Sequence, residues 1–243
     1  MSLETINFQS LGLDNKDRIL DLGCGEGRHA LSAYTTNNVN IVAVDLSLAD
    51  IKTAKKRFLE FFEAGNREKN LSFSLANAKS LPFESNSFEK VICSEVLEHI
   101  HDYESVLKEI YRVLKSGGVA GISVPRFFPE WVCWKLSSAY HEAEGGHVRI
   151  FKQRDLRKKI ENAGLVFENL HYAHALHVPY WWLKCLFWRE PDQSEALIVK
   201  LYHRFLVWDL MKNPPITEIS EKLLNPLIGK SVVMYFRKPY ESK

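Results

Sequence analysis

The sequence lacks the marks of a small disulfide-built, zinc-bound or membrane-spanning protein. Its four cysteines, Cys24, Cys93, Cys133 and Cys185, stand far apart with no C-x-x-C pair. That spacing excludes the usual zinc site, gives no disulfide framework and predicts a reduced, cytoplasmic setting. Charge of one sign is missing too. The 32 Lys and Arg face 30 Asp and Glu, a net +2, too even a balance to require nucleic acid as a partner. No uncharged apolar run reaches the roughly 18 residues that span a bilayer. The opening MSLETINFQSLGLDNKD has no basic stretch leading into an apolar one, so no secretory leader is expected. What is present is apolar content, 46% of 243 residues, enough to pack a core in one α/β domain with an embellishment.

The most informative stretch is ILDLGCGEGRHA, from Ile19 to Ala30. An apolar run leads into Gly23, Gly25 and Gly27, which let the backbone turn sharply and approach a ligand closely. A strand, a glycine loop and a helix in that order mark a nucleotide-type cofactor site. The dinucleotide pattern G-x-G-x-x-G fails, because its third glycine position falls on Arg28. The loop is also acidic, with Asp21 ending the strand and Glu26 in the turn. Carboxylates repel a pyrophosphate but suit a cofactor carrying an amino group and a sulfonium, as S-adenosyl-L-methionine does. A plain strand–turn–helix packing motif is the alternative.

Strand-like and helix-like segments alternate as far as Pro125. Arg18–Leu22, Asn40–Leu46, Leu71–Asn77, Glu89–Ser94 and Val119–Pro125 read as five strands. Between the second and third, Leu48, Ile51, Ala54, Phe58 and Phe61 recur at helical spacing. Tyr103, Val106, Leu107, Ile110 and Leu114 form another helical stripe, with Asp102 placed to cap its start and Gly117–Gly118 to end it. Repeated βα units imply a doubly wound, Rossmann-like parallel sheet. Beyond Pro125 come an aromatic segment, a helix at Gln153–Ala163, a sixth strand in GLVFENLHYAHAL and a seventh in SVVMYF (Ser231–Phe236). About fifty residues separate the last two, too many for an ordinary connection.

With these motifs the sequence resembles the class I S-adenosyl-L-methionine-dependent methyltransferases, in the small-molecule branch called type 11. The resemblance covers Arg18 to Pro125 well and Gly164 to Pro239 in outline. It implies a seven-stranded sheet whose last strand is antiparallel and inserted beside the fifth. It also implies S-adenosyl-L-methionine as cofactor. Asp21 and the loop with Gly23, Cys24, Gly25 and Gly27 would hold its methionine end. Asp45 would accept from both ribose hydroxyls, although an Asp here could instead cap the next helix, and Leu46 after it would also contact the cofactor. Asn77, where the family has Asp, and Ala78 would meet the adenine. Ser94 and Glu95 in SEVLEHI would contact the cofactor and floor the acceptor site. Glu95, Glu98 and His99 resemble the E-x-x-E-H pattern of ubiquinone-biosynthesis O-methyltransferases, which can support a divalent metal; a helix start is the plainer reading, and no metal is assigned. NPPI (Asn213–Ile216) resembles an amino-methyltransferase signature but lies in the late insert and lacks the stacking ring, so it reads as a turn.

All six tryptophans follow residue 130. Trp131 and Trp134 fall in a first segment, about 126–150. Trp181, Trp182, Trp188 and Trp208 fall in a second, about 179–229. The family places its substrate cap at both, so a helical, aromatic-rich cap and an apolar or lipid-like small-molecule acceptor are expected. Within the second segment Leu197, Leu201, Phe205 and Trp208 share a helical face, which would otherwise simply pack on the domain. Six Lys/Arg there balance six Asp/Glu, giving little pull toward anionic lipid, though peripheral contact through exposed Trp is left open. His99, His141 and His147 are candidate bases by position alone, and none is assigned. A soluble methyltransferase is the first reading. A non-catalytic protein of the same fold, binding the cofactor or a partner through its cap, is the second.

Overall fold

A computed structural model describes residues 4–36, 38–61, 69–142, 145–188 and 195–240; for Phe61, only the backbone is described. The helical elements begin with a four-residue turn α1 (Phe8–Leu11), followed by β1 (Arg18–Leu22), α2 (Arg28–Thr36), β2 (Asn40–Asp45) and α3 (Leu48–Phe61). Next come β3 (Asn70–Leu75), β4 (Phe88–Ser94), a 3-10 turn (Leu97–His99), α4 (Tyr103–Val113) and β5 (Leu114–Pro125). The second half contains α5 (Phe127–Leu136), α6 (Ser138–Glu142), α7 (Gln153–Asn162), β6 (Val166–Ala173), α8 (Val178–Leu186), α9 (Leu197–Lys212), α10 (Pro215–Ile228) and β7 (Ser231–Arg237).

The seven strands form one sheet in the order β3-β2-β1-β4-β5-β7-β6. β1 to β5 run parallel, and β7 lies antiparallel between β5 and β6. This is the predicted doubly wound sheet with its last strand inserted beside the fifth. The central strands β1, β4, β5 and β7 are largely apolar and buried on both faces, as a sheet covered on two sides requires, whereas the edge strands β3 and β6 are largely exposed. One apolar layer joins Leu20, Val91 and Ile122 to Val106, Ile110 and Ile160 of α4 and α7. The other joins Ile19, Ile41 and Ile92 to Ala30, Tyr34 and Ile51 of α2 and α3.

Of two local expectations for α4, one holds and one is corrected. Asp102 caps α4 as expected, accepting from the Ser105 N–H. Gly117–Gly118 does not end that helix: Leu114 is already extended and opposite Phe88, and the glycines lie inside β5. A Cβ on Gly118 would sit 2.9 Å from the Glu89 carbonyl oxygen, so glycine here permits close approach of β4 and β5. Cys133 and Cys185, distant in sequence, meet between α5 and α8, where a thiol–thiol hydrogen bond followed by burial raises the Cys133 pKa. Both remain free thiols.

Candidate functional site

The order of the sheet reverses between β1 and β4, the crevice where open α/β sheets bind ligands. Leu22 is in register with Val44 and Cys93, so three strands end level and deliver Gly23, Asp45 and Ser94 to one rim. The loop is anchored there by Gly23 and Cys24, whose N–H groups donate to the Val44 carbonyl at 2.8 and 3.0 Å. Gly23 has φ 71°, and a Cβ would come 2.4 Å from Val96 Cγ2. Gly25 has φ 52° and faces open space, with nothing within 4 Å of an added Cβ. Gly27 closes the turn onto α2, its Cβ position 3.2 Å from Ala54.

A cleft of about 680 Å³ opens above this rim, lined in part by Gly23, Gly25, Asp45, Leu46, Asn77, Ala78 and Glu95. Asp45 is fixed in it from two sides: Oδ2 accepts from the Gly25 N–H at 2.8 Å and Oδ1 from the Ser47 N–H at 2.8 Å. The capping side chain for α3 is Ser47, whose Oγ accepts from the Asp50 N–H. Leu46 offers an apolar surface, 76% exposed. Asn77 Oδ1 already accepts from the Lys79 N–H at 3.0 Å, within its own turn. A second cavity, about 660 Å³, lies across the loop and includes Cys24, Glu26, Arg28, Ser94 and Glu95 in its lining. Glu26 pairs there with Arg57.

Asp21 lines neither cavity. It is 1% exposed, and its Oδ2 accepts from the Ala30 N–H at 3.0 Å, tying β1 to the first turn of α2. Burial pushes its carboxyl up to about 7, against the hydrogen bond from Ala30.

A third cavity, about 240 Å³, lies beneath α8 and is lined by Thr5, Arg28, Glu95, His174, His177, Trp181, Lys230 and Ser231. Of the described residues, Glu95 alone lines all three spaces. Its backbone is left-handed, φ 57°, an unfavourable state for a side chain with a Cβ. Its carboxylate accepts from Ser123 Oγ at 2.9 Å and faces Lys230 Nζ at 3.8 Å, while Ser123 Oγ also meets Ser94 Oγ at 2.9 Å. Burial lowers the His177 pKa to about 4 and that of His174 well below its usual range, so both imidazoles facing this cavity are neutral at pH 7. Sequence reasoning missed Arg28 in this role, along with His174, His177 and Lys230. The signal was HYAHALH at the end of the sixth strand, three histidines in seven residues.

The expected E-x-x-E-H set divides. Glu98, His99 and His147, rather than Glu95, bring possible ligand atoms within 4.8 Å of one another. Glu98 is 1% exposed with both carboxylate oxygens unpartnered, and burial followed by the charge of Glu95 raises its pKa well above the usual range. His147 Nδ1 is 2.6 Å from Glu130 Oε1, to which Trp134 Nε1 also donates at 3.0 Å. His141 stacks on Trp134 at 4.3 Å. None of the three candidate bases lines the 240 Å³ cavity.

Of the six tryptophans only Trp181 lines a described cavity. Trp182 donates from Nε1 to the Pro129 carbonyl at 3.1 Å, binding α8 to α5, and Trp131 and Trp208 are exposed. On α9 the predicted apolar face is turned outward: Leu197 and Leu201 are 73% and 52% exposed, whereas Val199, Leu206 and Asp209 are buried. Of NPPI, only Asn213 and Pro214 form the turn it reads as, Asn213 being left-handed at the end of α9; Pro215 and Ile216 already belong to α10.

Sheet order, glycine loop and strand-end acid define a Rossmann-like cofactor-binding α/β protein with an antiparallel seventh strand. The family model described as "Methyltransferase domain", type 11, matches residues 20–122. Among curated relatives, sterol 24-C-methyltransferase erg6 of Aspergillus fumigatus is 31% identical over 160 residues, covering 66% of this chain and 39% of its own. Demethylmenaquinone methyltransferase of Lactococcus lactis is 39% identical over 102 residues, covering 41% and 38%. The chain spans about two fifths of the length of these relatives. Among solved structures, the [4+2]-cyclase SpnF shares the fold with a TM-score of 0.64 at 19% identity, covering 96% of this chain and 79% of that one. Over residues 20–122 the chain is similar to the class I S-adenosyl-L-methionine-dependent methyltransferases of the type 11 branch.

Proposed function

We propose that this chain is a methyltransferase that binds S-adenosyl-L-methionine in the 680 Å³ cleft and passes its methyl group to a small apolar or aromatic acceptor. In this reading residues 1–243 form one domain, with the helices at 126–150 and 179–229 as its cap. The observation that carries the proposal is Glu95, the one described side chain shared by the glycine-loop cavities and the cavity beneath the cap. A ligand lying along the loop and a second one under Trp181 would meet at that residue.

The residues present fit the cofactor. Gly25 leaves a cradle that a Cβ would occupy. Asp45, held by two backbone N–H groups, keeps lone pairs for the ribose hydroxyls. Leu46, Asn77 and Ala78 would meet the adenine at one end of the cleft, and Gly23 and Glu95 the methionine at the other, with Cys24 and Ser94 across the loop in the second cavity. Asp21 would act from beneath, by holding the loop to α2. When bound, the cofactor supplies a methyl group already activated on its sulfonium. The protein's own task is then to align the acceptor, exclude water and fix the charged groups around it. The Glu95–Ser123–Lys230 set fixes the charge at the junction, and Trp181 closes the apolar side. Acceptors named for relatives, a sterol and a demethylated quinone, support an apolar molecule. Free buried thiols support a reducing, cytoplasmic setting.

Isothermal titration tests the proposal. S-adenosylhomocysteine is expected to bind saturably and NAD not at all. Saturable NAD binding without a response to S-adenosylhomocysteine overturns it. Saturable S-adenosylhomocysteine binding with no methyl transfer to sterol, quinone or phenol extracts would favour the non-catalytic reading.

A further inference from the structure

Beneath the cap, away from the glycine loop, four ionisable side chains from three segments converge. His174 and His177 follow β6, Asp209 lies in the last turn of α9, and Glu221 is on α10. Atoms of ligand type on His174, His177 and Glu221 all lie within 4.8 Å of one another. The two imidazoles meet at 5.2 Å between centroids. Asp209 is the charge that acts on both His177 and Glu221 from α9.

The polar accounting in this cluster does not close. Asp209 is 0% exposed, yet neither of its carboxylate oxygens has a hydrogen-bond partner, and neither do Glu221 Oε1 and His177 Nδ1. A buried carboxylate without a partner, as at Asp209, is costly, and the carboxylate of Glu221 beside it, satisfied only in part by the Leu176 backbone, adds to the cost. The nearby cations are engaged elsewhere: Lys230 faces Glu95, and Arg28 donates to Thr5 Oγ1 at 3.1 Å. Among the described residues, no Lys or Arg forms an ion pair with Asp209 or Glu221. What would satisfy all four groups at once is a small cation of charge +2. His174 already carries a support of the kind that orients metal-bound imidazoles, with its Nε2 3.1 Å from Thr5 Oγ1.

We propose that His174, His177 and Glu221, with Asp209 beside them, bind one divalent transition-metal ion. Two imidazoles and one carboxylate, with the charge of a second carboxylate beside them, form a mixed nitrogen–oxygen set that suits Zn²⁺, Mn²⁺, Fe²⁺ or Co²⁺ better than Mg²⁺ or Ca²⁺. The ion joins α9 and α10 to the end of β6, so it pins the cap to the sheet directly behind the cavity that His174 and His177 line. The site is separate from the Glu98–His99–His147 set.

The purified full chain, stripped with chelator and dialysed against Zn²⁺ or Co²⁺, is expected to retain one ion at this site by elemental analysis. With Co²⁺ it should develop visible d–d absorption, and Tm should rise with added metal. The double variant H177A/E221Q should lose that ion, the absorption and the metal-dependent rise in Tm. E98Q/H99A should keep all three. D209N adds an independent reading: with a metal bound it lowers Tm and weakens retention, whereas without one it relieves buried repulsion and raises Tm in every buffer. Equal metal retention by the parent and H177A/E221Q overturns the proposal. Loss of the ion in E98Q/H99A alone, or a metal-independent gain in Tm from D209N, overturns it as well.

Discussion

Asp45 is the side chain on which cofactor recognition turns, because it serves the loop and the ligand together. Its carboxylate accepts from Gly25 and Ser47 and still faces the cleft. D45A removes both backbone anchors as well as the acceptors for a ribose. D45N retains an oxygen for one anchor and loses the charge, which makes it the cleaner variant. It should weaken S-adenosylhomocysteine binding by about 1.5–3 kcal/mol, the contribution of hydrogen bonds to a charged group, with an unchanged circular dichroism spectrum. Unchanged affinity by titration would reduce Asp45 to a loop anchor. Asp21 has a different signature. Burial raises its folded pKa to about 7 from 3.8. The folded state therefore holds a proton that the unfolded state has released, and the stability contributed is lost as pH rises from about 4 to about 7. His29 opposes this, since burial lowers its pKa to about 3 and favours folding as pH rises. The parent's net slope mixes both, whereas the difference between parent and D21N isolates Asp21. Relative to the parent, D21N should gain stability with rising pH, at most about 1.4 kcal/mol per pH unit; a difference that is flat from pH 4 to 7 in urea titrations would contradict the buried, protonated state.

The elements were legible in the sequence to the extent that local chemistry decides them. Arg18–Leu22 and Asn40–Asp45 are short β-branched runs bounded by turn residues, and they form strands because burial on both faces suits them. Gly117–Gly118 misled because glycine ends helices and also admits close strands, and only the partner strand distinguishes the two uses. Amphipathic spacing on α9 showed which residues share a face but not which face is covered; that depended on α8 and the buried Asp209. The same holds for the site. The loop and strand-end acids follow a local pattern, whereas His174, His177, Arg28 and Lys230 come together only through the fold. The pair Trp181 and Trp182 illustrates the limit, since adjacent identical residues have separate roles. Trp182 joins α8 to α5 through the Pro129 carbonyl. W182A should therefore lower Tm, by about 3–5 kcal/mol of stability if the space does not collapse. W181A should leave S-adenosylhomocysteine affinity near normal and reduce turnover of an apolar acceptor, by about 1–3 kcal/mol in kcat/KM. Calorimetry and methyl-transfer assays on the two single variants separate these outcomes; equal effects on Tm and turnover would show that both are structural.

At the scale of the whole molecule, its most unusual surface is the outer side of α9 and α10. Leu197, Leu201, Trp208 and Met211 project from α9, and Ile216, Ile219, Leu223 and Leu227 from α10, each 47–76% exposed. No helix of the described residues is long and apolar enough to cross a membrane. The sequence count of six basic and six acidic residues understates the charge of this surface. Asp209 is buried, Glu221 is half-buried and Glu218 pairs with Lys222 at 2.6 Å, while Lys200, Arg204 and Lys212 remain exposed beside the apolar side chains. Lys and Arg stems bordering Leu and Trp suit the headgroup layer, with the rings and aliphatic chains a few ångströms deeper. An apolar acceptor would then reach the cavity under Trp181 from the bilayer without crossing water. The chain is expected to co-sediment with vesicles containing phosphatidylserine more than with phosphatidylcholine alone, and the difference should fall with salt. L201D/L223D, altering outward positions only, should abolish sedimentation while preserving S-adenosylhomocysteine binding. A chain that stays in the supernatant with every vesicle and elutes as a dimer would assign this face to a second copy of itself instead.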